Sequence, residues 1–247
     1  MIIESQKLIF IHIPKTGGTS FETYLSETYD ASLTAVNLYS GEENDVLNGH
    51  SLQHSSYLEI KEFLESNHKD IDTYKIIAIV RNPYHRVLSE LLCTQKIKWW
   101  FSPKRVCEIT KATIEDTDPP LVRKYYSNYD NHLCSNMSFI TDASHQIPAN
   151  VTLVNTDNMS VVLPMLGYTG FDTYKRHHKT IRGKINYDTC FDEETREIVH
   201  QHFMDDFESG LFDPDTGKPV FACFYYNTRT KPYWNNEKKN YDSSSSK

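Results

Sequence analysis

Residues 7–27 place the tightest constraint on how this chain can fold. Lys7–Ile13 is a short apolar run ended by Pro14, and it reads as a buried strand. Residues 14–20, Pro-Lys-Thr-Gly-Gly-Thr-Ser, form a glycine-containing turn. From Thr19 to about Glu27 the chain reads as a helix, with Phe21, Tyr24 and Leu25 on one face. Strand, turn and helix in that order form the unit of an α/β sheet, and open sheets of this kind hold their ligands at the carboxyl ends of the strands. The turn is built for an anion. Its glycines let successive N–H groups converge, and the helix start adds the positive end of its dipole. Lys15 brings a full charge, and Thr16, Thr19 and Ser20 bring hydroxyl donors. The Walker order is absent, because Lys15 precedes Gly17 and Gly18 instead of following a glycine. The bland alternative is a strand–turn–helix junction that happens to hold Lys and Thr.

A second unit follows. Lys75–Val80 (KIIAIV) is continuously apolar, as expected of a strand covered on both faces. Arg81 and Asn82 end it, and Pro83 takes the first helical position, where proline is favoured. That helix is expected to run through Leu92 towards Lys98. Arg81 at the strand end and Ser89 two turns into the helix can converge on one phosphate, with Arg supplying planar, charge-assisted hydrogen bonds. Taken alone, Arg81 reads equally as half of a surface ion pair. Between the two units, Ser56 and Glu59 form a capping box, so a helix is expected from Ser56, with His54 just before it.

Further along, a helix is expected near Leu121–Tyr129, a strand at Val151–Asn155, and a helix at Met159–Leu166 that Gly167 ends. Residues 173–188 read as a basic loop, and Asp192 caps a last helix to about Phe207. The fold class expected is α/β, three-layered, with a mostly parallel central sheet. Residues 1–240 are expected to form one domain and 241–247 a disordered tail.

Composition removes several functions. A net charge of −7 disfavours nucleic acid as a partner. None of the five cysteines forms a C-x-x-C pair, so a zinc ribbon or redox dithiol is not expected, and the scattered set reads as buried thiols. No apolar run approaches a membrane span, and no signal peptide is evident. On that basis the expected compartment is the cytoplasm, with the Golgi lumen as the alternative if the chain is a piece of a longer protein. The triplets beginning at Asn136, Asn150 and Asn158 match the N-glycosylation pattern but carry little weight without an entry signal.

The run FIHIPKTGGTSFETYL, followed by Arg-Asn-Pro and then Arg-x-x-Ser at residues 81–89, resembles the sulfotransferases that use 3′-phosphoadenosine 5′-phosphosulfate (PAPS). The closest resemblance is to the branch of carbohydrate, heparan-sulfate-type O-sulfotransferases. It implies a P-loop-like sulfotransferase fold. It also implies that Lys15, Thr16, Gly17, Gly18, Thr19 and Ser20 hold the 5′-phosphosulfate, with Lys15 at the bridging oxygen, and that Arg81 and Ser89 hold the 3′-phosphate. The product would be 3′-phosphoadenosine 5′-phosphate (PAP), and no metal is implied. Two positions depart from the usual pattern, Tyr84 where Trp is frequent and Glu90-Leu91 where an aromatic is common. In the segment His54-Ser-Ser-Tyr-Leu-Glu-Ile the resemblance implies that His54 is the general base, a role suited to imidazole near neutral pH. His50 is the second candidate.

The acceptor is expected to be a hydroxyl, with glycan favoured by the branch resemblance. Lys175, Arg176, Lys179 and Arg182, in a stretch with five Lys or Arg in ten residues, are candidates for gripping an anionic glycan or closing over the cofactor; a solvated loop fits equally. Trp99 and Trp100 are candidates for stacking on a sugar, and a partner interface or core packing are the alternatives. Two other functions stay open from sequence. One is a phosphotransferase with an atypical loop, although the strand KIIAIV ends in Arg81 and not in an acidic residue. The other is a silent module that binds adenosine bisphosphate or glycan.

Overall fold

The computed structural model describes residues 1–30, 53–116, 132–173, 185–186, 189–221 and 223–225. The expected helix near Leu121–Tyr129, the basic loop candidates Lys175, Arg176, Lys179 and Arg182, the second base candidate His50, and the tail all lie outside them.

Five strands form one sheet in chain order: β1 (Ile2–Ile3), β2 (Leu8–Ile11), β3 (Lys75–Val80), β4 (Val151–Asn155) and β5 (Cys223–Tyr225). The central three are parallel, with Ile11 opposite Ala78 and Val80 opposite Asn155. The short edge strands β1 and β5 run antiparallel to their neighbours. Alternate residues of the central strands enter two different cores. Ile9, Ile11, Ile76, Ala78, Val80 and Leu153 pack with Tyr57 and Ile60 of α2 (Tyr57–Ser66), Val87 and Leu91 of α3 (Pro83–Cys93), Val106 of α4 (Pro103–Glu115) and Val199 of α7 (Glu193–His202). Leu8, Phe10, Ile77, Ile79 and Val154 pack on the other face with Phe21 and Leu25 of α1 (Gly18–Tyr29) and Leu163 of α6 (Met159–Met165). The result is the expected three-layer α/β arrangement.

Helix starts follow their caps. Ser56 and Glu59 form the reciprocal capping box, with Ser56 N–H donating to Glu59 Oε2 at 2.6 Å and Glu59 N–H to Ser56 Oγ at 3.3 Å. Asn82 accepts from the backbone of Tyr84 at 2.9 Å, and Pro83 occupies the first turn. The third helix ends at Cys93, short of the expected Lys98, and Gln95 turns the chain with φ 60°. The last expected helix is two. The first part, α7, closes at Phe203 (φ −106°, ψ 31°), and α8 (Met204–Glu208) follows in a new direction. That break lets buried Asp206 accept from the Asn136 amide (2.7 Å) and the Met137 N–H (2.9 Å) of α5 (Asn136–Ile140).

The Asn136 amide is fully buried and also donates to the Arg81 carbonyl at 3.2 Å, so the first glycosylation triplet is closed to modification. All five cysteines are free thiols. Among the described residues no helix is long and apolar enough to cross a membrane.

Candidate active site

The carboxyl ends of β2 and β3 open into a cavity of about 540 Å³. Lys15, Gly17, Gly18, Thr19 and Ser20 line it from the turn after β2, Arg81 and Ser89 from β3 and α3, and His54 from the entry to α2. Residues drawn from three separate sequence motifs therefore meet on one space. Trp99 joins them, half-exposed; Trp100 packs edge-on against it, with centroids 5.2 Å apart, and is more exposed, 60% against 38%. Thr16 is fully buried, and its hydroxyl donates to the Ile13 carbonyl at 2.8 Å, which makes it a brace of the turn.

The turn is held open by hydrogen bonds to its own carbonyls. Beyond the Thr16 bond to Ile13, Arg86 Nε–H donates to Pro14 (3.2 Å) and Arg81 Nη1–H to Lys15 (2.9 Å). The Thr156 hydroxyl lies 2.9 Å from the Thr16 carbonyl. Three consecutive carbonyls, of residues 13–15, thus have side-chain donors of their own, and the single Thr156 proton is shared between the carbonyls of Thr16 and Val80, 2.9 Å away. Lys15 is in the left-handed region at φ 65°, uncommon for a non-glycine residue, and Gly17 sits at φ 88°. Gly18 answers a different need: a Cβ there would come within 2.2 Å of the His12 ring.

His12 is buried, and its Nδ1–H donates to Glu22 Oε2 at 2.8 Å, with Glu22 itself fully enclosed. Its backbone carbonyl accepts from His54 Nδ1–H at 2.9 Å. A carbonyl can only accept, so neutral His54 carries its lone pair on Nε2, the tautomer a general base needs. His132 lies 5.0 Å from His54, ring centre to ring centre, and donates through Nδ1–H to Glu90 Oε2 at 2.8 Å. The same oxygen stands 3.9 Å from Lys15 Nζ. Burial pushes the Glu90 carboxyl up, but the His132 hydrogen bond and the charges of His132, Lys15 and Arg86 outweigh it and hold the carboxyl below its ordinary range.

Arg86 is the largest fully buried side chain. Besides Pro14, its guanidinium donates to the carbonyls of Cys134 (2.9 Å) and His132 (3.2 Å). Burial lowers it to about 10, and it stays a cation at neutral pH. Buried Asp206 is the nearby opposing charge, its own carboxyl pushed up by burial.

Sequence reading did not single out His12, His132, Glu90 or Arg86 for roles here. His12 is the one polar residue in an apolar run, His132 falls in a stretch without clear pattern, and Glu90 stood out only as a departure from a family pattern.

The sulfotransferase family model matches residues 1–141, more than half of the chain. The chain belongs to the sulfotransferase family. No curated protein and no solved structure matched it. Every described residue lining the cavity lies between His12 and His132, inside the matched segment. Sulfotransferases move a sulfuryl group, in general from PAPS with release of PAP. In this sulfotransferase the turn, the Arg81–Ser89 pair and the paired histidines are therefore the elements to weigh for that chemistry.

Proposed function

We propose that this sulfotransferase transfers the sulfuryl group of PAPS to a hydroxyl of a carbohydrate, as in the heparan-sulfate-type O-sulfotransferase branch. The observation that carries the proposal is the shared lining of one cavity by Lys15, Gly17, Gly18, Thr19, Ser20, Arg81, Ser89 and His54. In this scheme the 5′-phosphosulfate rests on the turn, and the 3′-phosphate on Arg81 and Ser89. The acceptor oxygen attacks sulfur in line as the bond to the bridging oxygen breaks. His54 Nε2 takes the hydroxyl proton, and PAP leaves with the bond's electron pair. Lys15 and the turn's N–H groups offset the charge growing on the bridging oxygen, from positions fixed before reaction. Trp99 and Lys98, which also line the cavity, supply an apolar face and a cation for a sugar ring with an anionic group. No step of the scheme calls on a metal.

Two measurements test it. PAP at 100 times its Kd is expected to stabilise the fold by roughly 2.7 kcal/mol, a rise of about 5–10 °C in Tm, whereas ATP with magnesium gives little. Radiolabelled PAPS is expected to label a glycan in a panel that also holds peptides and small alcohols. A larger shift from ATP would replace this reading with a phosphotransferase; label on tyrosine alone would replace the acceptor.

The 3′-phosphate clamp has its own prediction. Arg81 also ties the Lys15 carbonyl, so Arg81→Ala is expected to weaken both PAP and adenosine 5′-phosphosulfate, which lacks the 3′-phosphate. Ser89→Ala removes one donor without touching the turn. It is expected to weaken PAP by about 5- to 10-fold and to leave adenosine 5′-phosphosulfate unchanged, as read by calorimetry. Equal losses of both ligands in the Ser89 variant would remove Ser89 from the clamp.

A further inference from the structure

The His54 ring has a neighbour with a charge behind it. His132 stands edge-on to His54 at 5.0 Å, Glu90 Oε2 accepts from His132 at 2.8 Å, and Lys15 Nζ is 3.9 Å from that oxygen. An ionised carboxylate only accepts, so neutral His132, like His54, carries its lone pair on Nε2. The three side chains come from the entry to α2, from α3 and from the segment leading into α5, and they stand in a row.

We propose that Glu90, acting through His132, sets the basicity of His54, so that the proton His54 accepts is stabilised by the Glu90 charge. The idea rests on the reading of His54 as the base. It assigns Glu90 and His132 as positioning residues.

The physical case is a comparison of the groups around His54. The His12 carbonyl orients the ring but carries no net charge. Glu22 holds His12 in the same way, with the His12 ring 4.6 Å from His54, and the Glu90 and His132 variants leave that pair in place. Lys15, Arg81 and Lys98 share the cavity, and each disfavours a charged imidazole. Arg86, behind His132, adds to that effect. Glu90 and Glu22 each bind a histidine whose ring packs on His54, and Glu90 is the one that also stands beside Lys15 in the cavity. A carboxylate behind an imidazole stabilises the imidazolium form, as in a catalytic triad. Glu90 stays ionised across the range in which imidazole titrates, because its carboxyl is held low by the same neighbours.

The arrangement also links the two ends of the reaction. Glu90 Oε2 lies between the histidine pair and Lys15. As His54 gains a proton, it draws on the Glu90 charge and leaves more of the Lys15 charge for the departing oxygen.

The test is a titration of the histidine ring C–H signals by NMR in the full chain, compared with Glu90→Gln, Glu90→Asp and His132→Gln. Glutamine keeps an oxygen for the His132 Nδ1–H and removes only the charge. The His54 midpoint is expected to fall by about one pH unit in Glu90→Gln and to return in Glu90→Asp. In His132→Gln, which lets water screen Glu90, it is expected to fall by about half as much. The acid limb of kcat/KM with PAPS is expected to move with the midpoint, because removing an anion lowers the pH at which the base is neutral. A His54 midpoint unchanged in folded Glu90→Gln and His132→Gln overturns the proposal, whatever the turnover. A midpoint that moves in a protein that transfers no sulfuryl group upholds the coupling and overturns the catalytic reading beneath it.

Discussion

Replacing His54 by alanine is expected to lower sulfuryl turnover by about 10²–10⁴-fold, the usual contribution of a general base, with PAP affinity near the wild-type value. The ring lines the cavity, and its one described backbone bond fixes the tautomer with Nε2 basic. The bond from the ring to the His12 carbonyl is worth about 1 kcal/mol, and thermal unfolding of each variant reads what its loss costs. His54 sits at φ 59°, where alanine is strained, so His54→Asn is the better-matched companion because Asn tolerates that region. Both variants are expected to lose turnover together. His50→Ala, from the same stretch of sequence, is expected to stay active. Full turnover in both His54 variants would move the base elsewhere and leave the reaction class standing.

The largest structural effect is expected from Arg86→Met: a loss of about 3–5 kcal/mol, which lowers Tm by roughly 10 °C. Methionine fills much of the space but leaves the Pro14, His132 and Cys134 carbonyls without this donor, and buried Asp206 without its nearby cation. Because Arg86 ties the phosphate turn to the segment carrying His132, ligand binding should weaken as well. Thermal unfolding with and without PAP measures both. A loss under about 1 kcal/mol would mean that the guanidinium bonds add nothing beyond packing.

Much of the fold was legible because its signals are local. Buried parallel strands leave largely apolar runs: KIIAIV is apolar after Lys75, and VTLVN is β-branched and apolar at three of its five positions. The caps at Ser56 and Asp192 and the first-turn Pro83 announce helices within three residues of their start. The same chemistry was present and passed over at α4, where Ser102 caps and Pro103 opens the helix. β1 and β5, with two and three residues, are too short to leave a pattern and exist because a neighbouring strand offers an edge. In the site, the turn and Arg81–Ser89 were readable because their residues are close in sequence. His132 and Glu90 are 42 residues apart and meet only when α3 and the chain before α5 pack together, so no spacing rule could pair them. Arg86 was visible as a letter in a motif, but its burial among three carbonyls is a property of the tertiary structure alone.

The tied carbonyls of the turn have a consequence for motion. Three of the tethers come from outside the turn: from the end of β3, from α3 and from the residue after β4. The turn cannot swing outward without breaking bonds to three other parts of the sheet layer. Its opening is therefore expected to cost more than the fraying of a free loop. An anion entering the cavity is expected to meet donors already in place.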